Sequence, residues 1–169
     1  MPELQLVDGF VSLVDADDYA RLANFRWRSK RSHNMDTRFA FRRVTVGYNK
    51  RQTIILHREI MNAPPGTHVD HINHDTLDNR KSNLRVCSVS LNCANQNPAR
   101  SNKSGFKGVS WKKGSRKWVA QICINRQVFY LGCFDDPSRA ARAYDAAAIH
   151  HFGEFALTNK QLGKFVEAA

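Results

Sequence analysis

The chain has 169 residues, room for one domain or for two small ones with modest cores. Its 26 Lys and Arg against 15 Asp and Glu give a formal charge of +11, which points to a polyanionic partner, nucleic acid first. There is no run of about 18 apolar residues, no basic interfacial helix and no signal-peptide pattern in the acidic start MPELQLVDGFVSLVD, so a membrane partner is not expected and a cytoplasmic protein is.

In chain order, LQLV and FVSLVD read as short strands and DADDYARLANF as one or two helical turns. FRWRS, RFAFRRVTV and QTIILH read as further strands, which makes the first third β-rich. TIILHREIMN ends in a short helix that APPG stops, since neither proline can continue it. Four cysteines, Cys87, Cys93, Cys123 and Cys133, form no C-x-x-C pair, which argues against structural zinc and, in a cytosolic setting, against disulfides. Each is expected as a small buried apolar residue.

The stretch NQNPARSNKSG, rich in Asn, Ser, Gly and Pro, reads as a linker and places a domain boundary near residue 100. Charge shifts there too: residues 1–97 hold 14 cations and 10 anions, residues 98–169 hold 12 and 5. Within the second part, residues 98–134 carry eight Lys or Arg and no acid, a one-sign surface unlike an ordinary mixed solvated face. FKGVSW, KWVAQICI and QVFYLGCF then give three strands, with turns at KKGS and NR. DDPSRAARAYDAAAIHHFG gives a helix with Asp136 as N-cap, Pro137 at its first position and Gly153 as terminator. Along the middle strand, Trp118, Ala120, Ile122 and Ile124 should cover that helix, while Lys117, Val119, Gln121 and Cys123 point the other way with the basic residues.

The densest set of polar, chemistry-bearing residues is VDHINHDTLDNRKSNLRVCSVSLNCANQ, Val69 to Gln96. Val69 to Ile72 reads as a strand, Asn73 to Asn83 as a polar loop, Leu84 to Cys87 as a returning strand, and Ser88 onward as a helix. A hairpin leaning on a helix would bring Asp70, His71, Asn83 and Asn92 within reach of one another. Phosphodiester hydrolysis needs a base near neutral pH, and an imidazole with an ordinary pKa of about 6.5 suits that task. It also needs charge neutralised on phosphoryl and leaving oxygens. One carboxylate and one amide oxygen, completed by water and substrate, make the under-filled oxygen set that Mg²⁺ prefers.

These residues resemble the HNH, or ββα-metal, nucleases of phage and intron homing enzymes. LHR, DHIN, LDNR and SNLR carry the resemblance over about Leu56 to Gln96. It implies Asp70 and Asn92 as metal ligands, His71 as the base, and Asn83 as the group holding its imidazole. Asn95 stands as an alternative to Asn92. His74 occupies a position where relatives often carry glycine, so the loop either turns differently there or adopts left-handed geometry on a histidine; His74 is also a competing ligand. Asp75 and Asp78 are expected in local turn bonds. His57, His68, His150 and His151 are assigned no function.

The second half is similar to the plant ethylene-response-factor (Apetala-two) DNA-binding domain, through SGFKGVSW, KWVAQI, YLGCFD and AARAYDAAAIHHFGEFALTN. In that family a three-stranded sheet enters the major groove with a helix packed behind it. The resemblance implies a DNA-facing side of Lys107, Ser110, Lys112, Lys117, Gln121, Cys123, Val128 and Tyr130, with Lys113 and Arg116 in the turn. Ser110, Cys123 and Val128 stand where plant relatives carry arginine, so base preference does not transfer. Trp111 is open between groove contact and packing; Trp118 is expected in the core.

The expected architecture is α+β: a β-rich N-terminal region and HNH domain over 1–98 (ββα-metal core about 67–97), a linker over 99–105, and an ethylene-response-factor-like domain over 106–159. The expected function is a DNA endonuclease using one divalent ion, Mg²⁺ or Mn²⁺, on duplex DNA. It is expected as a monomer that nicks one strand, of the homing type found in phages and mobile elements. The rival is a non-catalytic DNA-binding regulator built on a relic nuclease fold.

Overall fold

The alternating segments at the start of the chain form strands, and the alanine-rich segment near its end forms the longest helix. The structure, a computed structural model, describes residues 2–32 and 37–165, with ten strands and four α-helices among them. Two units divide the chain, Met1–Ser88 and Val89–Ala169. No helix among the described residues is long and apolar enough to cross a membrane.

In the first unit β1 (Glu3–Gln5) and β2 (Val11–Leu13) make an antiparallel hairpin, followed by α1 (Ala16–Leu22). Next come β3 (Arg28–Arg31), β4 (Arg38–Gly47) and β5 (Lys50–Ile55), an antiparallel sheet in the order β3-β4-β5. The helix α2 (Leu56–Ile60) leads to the hairpin of β6 (His68–His71) and β7 (Leu84–Cys87). Trp27, wholly buried, donates its indole N–H to the Leu22 carbonyl at 3.0 Å, so a large apolar ring enters the core with its polar atom satisfied. Around it pack Leu4, Val14, Leu22, Ala40, Leu56, Val69 and Leu84, drawn from both hairpins, the sheet and both helices.

The second unit opens with α3 (Val89–Ala94), then β8 (Val109–Lys112), β9 (Lys117–Ile124) and β10 (Gln127–Phe134), antiparallel in the order β10-β9-β8. The hairpin turn at Asn125 and Arg126 has φ of 51° and 67°, the doubly left-handed geometry whose twist matches paired strands. Behind the sheet lies α4 (Pro137–Phe152), whose N-cap Asp136 accepts from the Ser138 amide at 2.8 Å and whose chain reverses at Gly153. Ala120 and Ile122 are buried beneath it, against Ala140, Ala141, Tyr144 and Ala148. Leu91 and Ala94 of α3 join the same apolar cluster as Tyr144 and Phe152. The segment read as a linker is tied down locally, since the Asn102 side chain accepts from Ser104 and Gly105 amides and donates to the Phe106 carbonyl.

Two expectations are corrected here. Only Cys87 is buried; Cys93 and Cys123 are exposed and Cys133 is intermediate, because strand and helix periodicity, not residue type, decides which way each points. Val119 is buried although it belongs to the outward set, being on the middle strand with Ser110 and Cys133 as cross-strand neighbours.

Candidate functional site

Asp70 and His71 close β6, both buried, and the polar loop that follows is stitched to β2. The Leu13 amide donates to the Leu77 carbonyl at 2.9 Å, and the Asn79 amide donates to the Leu13 carbonyl at 2.8 Å. Inside the loop, Asp75 accepts from the Leu77 amide, and Asp78 accepts from the Asn73 side chain and pairs with Arg80, as expected of turn residues. His74 adopts φ of 65°, so the histidine takes the left-handed turn itself.

The His71 ring touches Asn79: Nε2 lies 3.2 Å from its Oδ1. Asn83, expected to hold that imidazole, uses its side chain elsewhere, with Oδ1 accepting from the Asn73 amide at 3.0 Å and Nδ2 donating to the Asp78 carbonyl at 2.8 Å. Its carbonyl accepts from the Ile72 amide at 2.9 Å, so Asn83 fastens both ends of the loop. On the other side His71 meets His57 of α2 edge to face, ring centroids 5.1 Å apart. Sequence reasoning gives His57 no role. Its Nδ1 is buried without a hydrogen-bond partner among the described residues, and burial, then the neighbouring His71 and Arg58, push its pKa down to about 3. Burial likewise lowers the His71 pKa, opposed by the Asn79 bond and by Asp70, Asp75 and Asp78.

Asp70 faces Arg85 across the hairpin, and the Arg85 Nε and Nη2 reach its Oδ2 at 2.9 and 2.8 Å. Among the described residues no group of three His, Cys, Asp or Glu gathers to hold an ion. The buried polar side chains of the hairpin and its loop are the Asp70 and Asp78 carboxylates, the amides of Asn79 and Asn83 and the His71 imidazole. Asn92, half-buried on α3, and Asn95, buried just past it, belong to the second unit.

The outer face of the second unit's sheet follows from its register. Ser110 pairs Val119, Lys112 pairs Lys117, Gln121 pairs Tyr130 and Cys123 pairs Val128, and directly opposed residues share a face. Lys112, Lys113, Arg116, Gln121 and Tyr130 are exposed, while Lys117 lies 3.4 Å from Asp135. Lys107 departs from its expected place. Its ammonium turns inward and donates to the Ala94 and Gln96 carbonyls at 2.5 and 2.7 Å, at the C-terminal end of α3, and burial lowers its pKa to about 8. Trp111 packs on Trp118 with centroids 4.9 Å apart.

A further cationic face lies outside the residues that sequence reasoning assigns to DNA. On the β3-β4-β5 sheet, Arg28 pairs Phe41, Lys30 pairs Phe39, Arg43 pairs Thr53 and Arg51 pairs Thr45. Residues 26–58 hold ten Lys or Arg and one acid, a density that marks the segment in the sequence itself.

Comparison with known proteins finds two matched segments. The family model described as HNH endonuclease matches residues 62–93, and that described as AP2 domain matches residues 104–153. An HNH endonuclease of Acanthamoeba polyphaga mimivirus is 32% identical over 108 residues, covering 64% of this chain and 54% of that protein. Protein 3.8 of Escherichia phage T7 is 38% identical over 59 residues, 35% of this chain and 49% of its own length. APETALA2-like protein 2 of Oryza sativa subsp. indica is 45% identical over 58 residues, 33% of this chain and 13% of its own. The chain thus spans about half the length of the two viral relatives, 54% and 49%. The buried Asp70 and His71 lie in the first matched segment and the sheet with its backing helix in the second, so the chain carries an HNH endonuclease domain followed by an AP2 domain.

Proposed function

We propose that the chain is a metal-dependent DNA endonuclease that docks on duplex DNA and hydrolyses one phosphodiester bond per encounter. The observation that supports it most is the buried Asp70 and His71 at the end of β6, with a pinned polar loop behind them, in a chain of charge +11. The nuclease part is taken as 1–98, the linker as 99–105 and the DNA-binding part as 106–159. The helix α3 is common to two descriptions, lying within the HNH match in all but its last residue and packing in the second unit.

Donor chemistry fits a hard divalent ion that keeps several waters, Mg²⁺ or Mn²⁺, with Asp70 as the residue of the first unit that would hold it. Such an ion, when bound, supplies neutralisation of the charge that grows on the phosphoryl and leaving oxygens. His71 takes the proton of the attacking water; the water oxygen bonds to phosphorus as the bond to the leaving oxygen breaks. Asn83 serves by holding the loop closed behind the base. Arg85 balances the carboxylate of Asp70.

Grip comes from the cationic faces. Lys112, Lys113, Arg116 and Lys117, with Gln121 and Tyr130, suit phosphate and groove contacts on one sheet. Arg28, Lys30, Arg43 and Arg51 suit phosphates on the other. One HNH centre per chain makes a monomer a nicking enzyme, and the viral relatives favour a role in a phage or mobile element. The test is supercoiled plasmid with Mg²⁺ or Mn²⁺, with and without chelator, beside His71→Ala. Chelator-sensitive conversion to open circle by the parent alone is expected; salt-dependent binding with no nicking under either ion would establish the DNA-binding regulator instead.

A further inference from the structure

Ser12 sits on β2, fifty residues before the segment matched as HNH endonuclease, and is wholly buried. Its hydroxyl donates to the Leu77 carbonyl at 2.9 Å, an atom that can only accept. The single hydroxyl hydrogen is thereby used, so toward Asn79 the Ser12 oxygen must accept. The group 2.7 Å from it on Asn79 is accordingly the amide nitrogen, which also lies 3.5 Å from the Thr76 carbonyl. Asn79 cannot be flipped in this setting without setting two acceptors against each other. Its Oδ1 therefore faces His71, and at 3.2 Å the ring nitrogen Nε2 must carry the hydrogen.

We infer that Ser12 and Asn79 are positioning residues for His71, a relay from the Leu77 carbonyl that fixes the neutral imidazole with its hydrogen on Nε2 and its lone pair on Nδ1. The inference rests on the reading of His71 as the base, and it assigns the proton-accepting atom as Nδ1. The relay is wholly buried, since Ser12 and Asn79 are each 0% exposed. It also ties the N-terminal hairpin to catalysis: β2 supplies one polar side chain to the relay and backbone bonds on either side of it, at Leu13. Asn83, bonded to the Asn73 amide and the Asp78 carbonyl, holds the loop while Asn79 holds the ring.

The experiment uses the full chain. The ¹⁵N spectrum of the His71 ring is read above pH 7 without DNA or metal, for the parent, Ser12→Ala and Ser12→Thr. Plasmid nicking with Mg²⁺ or Mn²⁺ is followed in parallel. The parent is expected to show hydrogen on Nε2. Ser12→Ala should give mixed tautomers and a turnover lower by about 10- to 100-fold at saturating DNA, the range typical of outer partners that orient a functional histidine, with DNA affinity unchanged. Ser12→Thr keeps the hydroxyl and should restore both spectrum and turnover. Hydrogen on Nδ1 in the parent, or full turnover in folded Ser12→Ala, overturns the relay. Absence of nicking by a parent that carries hydrogen on Nε2 overturns the nuclease reading and leaves the tautomer assignment supported.

Discussion

His57 and His71 meet edge to face, their ring planes 89° apart, so two imidazoles that would ordinarily titrate near neutrality share one buried contact. His57 is the more perturbed of the two, with its pKa lowered from 6.5 to about 3. In the unfolded chain it protonates near 6.5, whereas in the fold it stays neutral until about 3. A depressed folded pKa stabilises above the unfolded value, and that contribution is lost as pH falls through the window between the two. Acid titration of thermal stability should therefore fall more steeply in the parent than in His57→Phe, which keeps an aromatic ring and removes the titrating group. Parallel acid profiles for the two proteins would refute the assignment.

Across the β6–β7 hairpin, Asp70 and Arg85 are mutually dependent. Both side chains are largely buried, at 9% and 13% exposure, so removing the cation strands a carboxylate away from water. Arg85→Ala is expected to cost about 2–4 kcal/mol in denaturant unfolding, since breaking a buried pair leaves an uncompensated charge. Asp70→Asn should be milder in stability and severe in function, with nicking reduced by at least about 100-fold while DNA binding persists. Equal cleavage by Asp70→Asn and the parent would remove the carboxylate from the chemistry.

How much of this was legible depends on whether the governing interaction is local. The caps of α4 are local: Asp136, Pro137 and Gly153 act within one turn of themselves, and the helix ends where they stand. The strands of the second sheet follow from alternation, which put Ala120 and Ile122 under the helix and Gln121 and Cys123 outside. Lys107 shows the limit. The resemblance to the plant DNA-binding domain places it on the basic side, but the carbonyls of Ala94 and Gln96 that take its ammonium lie at and just past the end of α3, over ten residues away. Asn79 and Asn83 are alike in type and four apart, and only the tertiary bond to Ser12, 67 residues earlier, separates the ring-holder from the loop-holder.

The two cationic faces make separable predictions about salt. Removing one cation that neutralises a phosphate should flatten the slope of log K against log salt by about 0.9 on duplex DNA. Replacing Lys112, Lys113 and Arg116 by Gln should weaken binding and flatten the slope, as should replacing Arg28, Lys30 and Arg43. Lys107→Met is the contrast: its ammonium is committed to two carbonyls, so the slope should not change, whereas unfolding should become easier by about 1–3 kcal/mol as the part-buried Ala94 carbonyl loses a partner. A slope change in Lys107→Met equal to that of the surface variants would return it to the DNA-facing set.

Gly108 precedes β8 with φ of 74°, and a Cβ built there would lie 1.9 Å from the Tyr144 ring. Tyr144 cannot retreat freely, being buried in the cluster that includes Ile122, Ala148 and Phe152, with its hydroxyl pushed up to about 12 by burial. Left-handed backbone costs an L-residue about 1–2 kcal/mol, and forcing a methyl into a packed core adds about 1–3 kcal/mol more. Gly108→Ala should therefore destabilise the second unit by about 2–5 kcal/mol, read as loss of cooperative near-ultraviolet signal at lower denaturant. DNA affinity should fall with it, because the β8 edge that carries Lys112 begins at the next residue. A Tyr144→Leu background, which opens space where the methyl would go, should reduce the penalty of Gly108→Ala toward its backbone part; an unchanged penalty in that background would show that the aromatic ring is not its cause.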